Sequence, residues 1–127
     1  MNKVLVLSAT LLATILVRPV WGDGVLEPVH GGRMVEAAGH RLELVTNQDR
    51  VDLYVTDHGN KPVVVDRASG KVIFLAGQEK KDIALAPAGD NRLTGNGKIP
   101  AGGQVAVVIT VEGLAKRITA RLPAGQH

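Results

Sequence analysis

The chain has 127 residues, of which 45% are hydrophobic and 21% charged, with a formal net charge of +3 and no cysteine. The absence of cysteine excludes disulfide bonds, thiolate catalysis and thiolate metal ligands, so the fold must be stabilised by burial of apolar side chains. The small charge and the single tyrosine, tryptophan and phenylalanine argue against nucleic-acid binding, which needs a basic surface and aromatic rings that stack on bases.

Residues 1–22 have the pattern of a secretory signal peptide. Lys3 precedes an apolar run over residues 4–17, and Arg18 and Pro19 then lead to small residues, with cleavage expected after Gly22. The apolar run is shorter than the roughly 20 residues needed to span a bilayer. We therefore predict a periplasmic or secreted protein with no membrane anchor after cleavage; a buried N-terminal helix is the alternative.

The remaining chain is predicted to form one domain. Residues 23–32 contain Gly, Pro and isolated apolar residues, which indicates a flexible N-terminal arm; residues 33–123 form the folded domain, and residues 124–127 a disordered tail. Short aliphatic and β-branched runs separated by Gly, Pro, Asn and Asp predict successive strands. The predicted strands are residues 33–37, 40–46, 51–57, 62–65, 71–76, 82–86, 92–95, 104–112 and 117–122. The charged residues 79–82 predict a turn, and no helix is expected.

The strand pattern also predicts the fold class. Residues 51–57 alternate between apolar and polar side chains, so Asp52, Tyr54 and Thr56 are expected to face outward. Strand starts about 8 to 12 residues apart are typical of an antiparallel sandwich. The predicted fold is all-β: a single immunoglobulin-like antiparallel β-sandwich that follows a cleaved signal peptide.

A hairpin formed by the second and third predicted strands brings the first candidate site residues together. Pairing Leu44 with Leu53 keeps the apolar side chains of both strands on one face, and this register places His40 opposite Asp57. Directly opposed residues have Cα atoms about 4.5 to 5.5 Å apart, close enough for an imidazole and a carboxylate to share a ligand. His58 follows in the next turn.

His30, His40 and His58 are three of the four histidines of the chain. His30 reaches the same end of the domain if Gly31 and Gly32 bend the chain. Imidazole nitrogens are favoured ligands of Cu(II), Zn(II) and Ni(II), so we predict one divalent metal ion, copper or zinc, bound by these histidines with Asp57. Asp57 acts either as a ligand or as the acceptor that fixes an imidazole tautomer. The alternative is a solvated arm histidine, a His40–Asp57 pair and a turn histidine, with no metal.

Other polar residues carry weaker patterns. Glu43 is expected on the outward face across from Tyr54, in a surface pair with Arg41. Ser69 is the only serine after the signal and lacks the Gly-x-Ser-x-Gly context of a nucleophile, and residues 95–98 lack the Ser or Thr of a phosphate-binding loop. These absences predict a protein that is not an enzyme.

Several short motifs support a resemblance to a known group of proteins. They are His30-Gly31-Gly32, Gly39-His40, Glu43-Leu44-Val45, Tyr54-Val55-x-Asp57, Lys61-Pro62-Val63 and Ala88-Gly89-Asp90-Asn91. The chain resembles small exported bacterial proteins found with heavy-metal and copper resistance systems, and similar His-Gly-Gly openings occur in periplasmic adaptor subunits of metal efflux pumps. The resemblance implies an immunoglobulin-like sandwich that binds or delivers a metal ion, first through His30 and His40 and then through His58.

These observations together predict a periplasmic divalent-metal-binding protein that acts in metal handling or resistance beside an efflux system. Its expected partners are a metal ion and a periplasmic efflux adaptor or another envelope protein, and nucleic acid is not expected. The alternative function is a non-catalytic structural or protein-interaction module of the cell envelope, whose strand edges or loops bind another protein.

Overall fold

The computed structural model describes residues 26–100 and 104–124, and every regular element in these ranges is a β-strand. The predicted signal peptide and residues 125–127 of the predicted tail lie outside the described residues. Within the described part, no helix is long and apolar enough to cross a membrane. The strands are β1 (Arg33–Ala37), β2 (His40–Asn47), β3 (Arg50–Asp57), β4 (Ser69–Ala76), β5 (Glu79–Pro87), β6 (Arg92–Asn96), β7 (Ala106–Glu112) and β8 (Ile118–Leu122).

The eight strands form one antiparallel sheet in the order β1-β2-β3-β6-β5-β4-β7-β8. Strand β5 joins the two halves, because most of its length pairs with β4 while Ala86 and Pro87 pair with Thr94 and Leu93 of β6. The first and last strands of the order lie close to each other, and Arg33 of β1 donates a hydrogen bond to a backbone carbonyl just after β8. The sheet therefore curls into a nearly closed barrel.

The core lies inside this barrel and comes from alternate residues of the strands. Leu53, Leu93 and Ile109 are fully buried, and Phe74 is the aromatic side chain among them. Burial of a leucine, isoleucine or phenylalanine side chain stabilises a fold by about 1.5 to 3 kcal/mol. The alternation predicted for residues 51–57 is confirmed, and the side chains of the opposite set face outward, where they are available to build a site.

The predicted strands agree with the structure except for residues 62–65. In this segment an isolated bridge joins Thr56 and Pro62, Val63 donates a hydrogen bond to the Val55 carbonyl, and Val65 donates one to the Asp90 carbonyl. Proline has no backbone N–H and cannot donate to a sheet, so the segment follows the end of β3 without forming a ladder.

The turn predicted at residues 79–82 is wrong. These residues belong to β5, and the chain reverses at Gly77 and Gln78, since Ala76 pairs with Glu79. Gly77 has a φ of 63°, which suits the first central position of a two-residue hairpin turn that follows the twist of the strands. The charged side chains at 79–82 indicated solvent exposure, and an exposed strand has this feature as well as a turn.

Asp52 faces away from the core as predicted, but it is not exposed. Its carboxylate accepts a hydrogen bond from the Thr94 hydroxyl at 2.7 Å and lies 3.0 Å from the guanidinium of Arg50. Arg92 approaches the same carboxylate at 3.8 Å, and only 3% of the residue is exposed. The polar side chains on the outer face of β3 and β6 therefore cover one another.

Candidate functional site

A groove of about 880 Å³ lies on the outer face of β1, β2 and β3. Residues 27–30 of the predicted arm line it from one side, and residues 60 and 62, after β3, contribute from another. Val29, Met34 and Pro62 supply apolar surface, and Tyr54 supplies an aromatic ring. The groove exists because the arm lies over the outward-facing side chains of the sheet, so the contacts of the arm decide its shape.

Glu43 anchors the arm to the sheet. Strand alternation turns this side chain away from the core, yet only 4% of the residue is exposed. Its carboxylate accepts backbone hydrogen bonds from Val29 at 3.1 Å, His30 at 2.7 Å and Gly32 at 2.8 Å. It also lies 3.0 Å from Nδ1 of His30. Four contacts on one carboxylate fix the arm at the centre of β2.

The predicted surface pair between Glu43 and Arg41 is therefore wrong. The guanidinium of Arg41 instead donates to the amide oxygen of Asn60 at 2.6 Å and lies 3.6 Å from the carboxylate of Glu36. Both residues of the predicted pair face outward, but the arm provides donors that bind Glu43 more closely than a neighbouring strand residue does.

The hydrogen bonds control the ionisation of Glu43. Burial by itself raises the pKa of this carboxyl group. The hydrogen bonds from the Gly32 amide, the His30 ring and the His30 and Val29 amides together lower the pKa by more than burial raises it. The net effect is a pKa below the ordinary value of 4.5. Glu43 is thus a carboxylate at neutral pH and acts only as an acceptor.

The imidazole of His30 is held in one orientation by two contacts. Its ring stacks on Tyr54 with centroids 3.6 Å apart and an interplanar angle of 5°, and its Nδ1 faces Glu43. Because an ionised carboxylate cannot donate, Nδ1 must carry the hydrogen of the neutral ring. The lone pair then lies on Nε2, which makes no hydrogen bond within the described residues. The side chain is 41% exposed, so Nε2 is the ring nitrogen available to a ligand.

The two glycines after His30 explain how the arm reaches Glu43. Gly31 has a φ of 75°, in the left-handed region that glycine adopts without strain. A Cβ atom on Gly32 would overlap the backbone carbonyl of Leu44, so only glycine allows the arm to approach β2 this closely. The His-Gly-Gly motif therefore has a structural basis, and together with the outward Glu43 it was the signal in the sequence for this site.

His40 and His58 occupy other places. His40 pairs with Asp57 in the β2–β3 register, as predicted, and its Nδ1 lies 2.9 Å from the Ala38 carbonyl. His58 is 67% exposed, and its Nδ1 lies 3.2 Å from a carboxylate oxygen of Glu36. His40 and Glu43 are three residues apart on one strand, so their Cα atoms are separated by about 10 Å and their side chains point to opposite faces.

Asp57 stabilises the turn after β3. Its Oδ1 accepts hydrogen bonds from the backbone amides of Gly59 at 2.8 Å and Lys61 at 2.9 Å. The bond from Lys61 is the main cause of a lowered pKa of Asp57, followed by the opposing effect of burial, the Gly59 bond and the charges of Lys61 and His40. Asp57 is thus close to His40 in register, while its hydrogen bonds serve the turn.

The residues predicted to bind one metal ion have different contacts: His30 contacts Glu43 and Tyr54, His40 contacts the Ala38 carbonyl, Asp57 holds the turn after β3, and His58 contacts Glu36. In residues 26–100 and 104–124, no group of three or more His, Asp or Glu side chains is arranged to hold a metal ion. The roles of Glu43 and Tyr54 were not predicted from the sequence, because both depend on the docked arm.

Arm docking through Glu43 is expected to depend on pH. In metal-free buffer with a chelator, the stabilisation from this carboxylate should be complete above about pH 4.5, the ordinary value, and should be lost as the pH falls through the lowered folded pKa. The reason is that the unfolded glutamate binds its proton at a higher pH than the folded one does.

Urea unfolding from about pH 7 to about pH 3, compared with Glu43→Gln, measures this contribution. The difference in the free energy of unfolding between the two proteins should shrink on acidification. A difference that stays constant over this range would contradict the assignment of the carboxylate as the anchor.

Comparison with known proteins gives no relative for this chain. No family model, no curated protein and no solved structure matches it.

Proposed function

We propose that this protein is an exported, non-catalytic metal-binding protein of the cell envelope, and that it binds a divalent ion through Nε2 of His30. Within this proposal, residues 1–22 are the signal peptide that directs the chain to the periplasm, and the two halves of the sheet correspond to an immunoglobulin-like sandwich. The resemblance to proteins of heavy-metal and copper resistance belongs to the same proposal, as does a role beside an efflux system.

One observation carries the proposal: the buried carboxylate of Glu43 lies 3.0 Å from Nδ1 of His30. Metal-ligating histidines commonly donate their second ring N–H to a carboxylate, which fixes the tautomer and raises the basicity of the coordinating nitrogen. The parallel ring of Tyr54 fixes the imidazole plane as well. The imidazole is therefore ordered before an ion binds, and binding does not have to restrict its rotation.

Imidazole nitrogen suits Cu(II), Zn(II) and Ni(II), so the proposal covers this class of ions. His40 and His58 have other ring contacts than His30 does, and they are not assigned to the same ion. The Nδ1 atom of His40 lies next to the Ala38 carbonyl and that of His58 next to the Glu36 carboxylate, so neither ring contacts the groove histidine in the way Glu43 does.

The second candidate function is a protein-interaction module. Val29 lies in the groove, and Val64 lies two residues after Pro62, which also lines it. They are the large apolar residues with the highest exposure among the described residues, at 82% and 66%. Contact with another envelope protein would bury them. An envelope protein that is retained by the chain in the presence of a chelator, and released by Val29→Asp, would favour this function over metal binding.

The metal proposal predicts that His30→Gln weakens Zn(II) or Cu(II) binding at least tenfold, which corresponds to about 1.4 kcal/mol. Calorimetric titration of the full chain measures the affinity. The rise in melting temperature on addition of metal provides a second measurement, since a ligand of the native state stabilises it by RT ln(1 + [L]/Kd).

Two matched variants and one local probe make this experiment specific. His40→Gln and His58→Gln remove an imidazole elsewhere and should retain the affinity. In a chain that also carries Trp21→Phe, Tyr54 is the single tyrosine and no tryptophan remains, so tyrosine fluorescence reports on the groove. Cu(II) should quench it in this background and much less after His30→Gln. Equal binding by the His30 variant would remove the basis of the proposal.

A further inference from the structure

Within residues 26–100 and 104–124, the side chains around His30 do not complete a metal site. Zinc sites in proteins use four ligands, of which three or four come from protein side chains. His30 offers one nitrogen, and Glu43 is already engaged by three backbone amides and the imidazole. The described residues supply no group of three donors. A second copy of the chain can supply further ligands.

The surface next to His30 has the properties of a contact surface. Val29, the residue before it, exposes 82% of its surface, the largest exposed fraction among the large hydrophobic residues described. Pro28 continues this apolar strip along the groove. The groove also contains the carboxylate of Glu27, whereas the guanidinium of Arg41 is engaged by Glu36 and Asn60 of the same copy. In a two-fold contact the apolar strip lies against the same strip of the second copy, so each copy covers the Val29 side chain of the other.

We propose that a divalent metal ion joins two copies of this chain through Nε2 of His30 of each copy. The inference rests on the proposed function, since it requires His30 to be a metal ligand. In a two-fold symmetric contact each copy presents the same patch, so one oriented imidazole per chain becomes two at the symmetry axis. Water or the carboxylate of Glu27 completes the coordination, and the two Val29 side chains lose their exposure to solvent.

The fixed orientation of His30 is what makes this arrangement favourable. Ordering a side chain at an interface costs conformational entropy, and Glu43 and Tyr54 have ordered this imidazole before the second copy arrives. His58 is more exposed, and its ring has a single contact, with Glu36. It therefore serves as a control, an imidazole that is not held by both a buried carboxylate and a stacked ring.

The test is the mass of the full chain in solution, measured by sedimentation or light scattering while Zn(II) is added in the absence of competing chelator. We expect the mass to double, with saturation at one ion for two chains, and chelator should restore the original mass. His30→Gln should remain a monomer at every zinc concentration, while His58→Gln should dimerise like the parent chain.

Val29→Asp separates the inference from the proposed function. This variant retains His30, so it should still bind zinc, but its dimer should dissociate at least tenfold more readily. Zinc bound to a monomer at one ion per chain, with loss in His30→Gln, would overturn the bridged pair and leave the proposed function intact. No His30-dependent zinc binding would overturn both. Zinc-dependent dimers that survive His30→Gln would overturn the bridging role of His30.

Discussion

Glu43→Ala is expected to lower the free energy of unfolding by about 2 to 4 kcal/mol at pH 7, because it removes a buried charged acceptor and leaves its donors without a partner. The Val29, His30 and Gly32 amides all lose their hydrogen bonds to the sheet. The arm should then separate from β2 so that water can solvate these amides, and this relief keeps the cost below the sum of the separate bonds.

The effect should be local as well as global. Hydrogen exchange of the His30 and Gly32 amides is expected to accelerate to near the rate of an unstructured segment, and His30 should lose its stacking on Tyr54. Affinity for Zn(II) should fall together with the stacking, since His30 no longer has a fixed tautomer or orientation. Urea unfolding, amide exchange and metal titration measure these three consequences.

Two variants serve as controls for Glu43→Ala. Glu43→Gln retains the shape and one acceptor oxygen, so its destabilisation should lie between those of the parent and the alanine variant. Glu112→Ala removes an exposed glutamate whose nearest cation, Arg117, is 3.8 Å away, and it should change stability by less than about 0.5 kcal/mol. Equal stability losses at positions 43 and 112 would contradict the anchoring role.

Gly95→Ala is expected to destabilise the fold by about 3 kcal/mol or more, because a well-packed site has no room for an added methyl group. Gly95 lies in β6 where β5 crosses from one half of the sheet to the other. A Cβ atom there would overlap the Ala84 carbonyl and come within 2.9 Å of the Ile83 and Leu85 side chains. A carbonyl belongs to the backbone and cannot rotate away, so β5 and β6 would have to separate.

Thermal and urea unfolding of Gly95→Ala measure this cost. Gly59→Ala is the matched control, because the nearest atom to its Cβ would be Asp57 Oδ1 at 3.5 Å, an ordinary contact. We expect the control to lie within about 0.5 kcal/mol of the parent. A Gly95 variant as stable as the control would mean that β5 and β6 do not approach each other as closely as described.

The β2–β3 hairpin shows how much the sequence alone predicts. The pairing of Leu44 with Leu53 and of His40 with Asp57 follows from the period of two residues in a strand and from the need to bury one face. A shift by one residue would expose the whole apolar set, and the sequence therefore specifies the register. The observed pairs confirm it in detail. Such predictions succeed because the deciding interactions lie within one strand and its nearest neighbour.

The site depended on contacts that strand periodicity does not contain. Alternation correctly turned Glu43 and Asp52 outward, but an outward direction is not the same as exposure. The arm, whose donors lie eleven to fourteen residues before Glu43, covers the Glu43 carboxylate. Arg50, Arg92 and Thr94 cover the Asp52 carboxylate. The distribution of the histidines was decided in the same way, since Glu43 and Tyr54 hold His30 away from His40.

The amino-acid sequence by itself thus determined the all-β class, most strand positions and the pairing of β2 with β3, because these follow from local alternation and from residues that favour turns. Only the tertiary structure decided that the sheet curls into a nearly closed barrel, that the arm docks on Glu43 and that one imidazole is oriented. These features depend on carbonyls, carboxylates and rings that meet across long separations in the chain, and the geometry of the whole fold determines which of them meet.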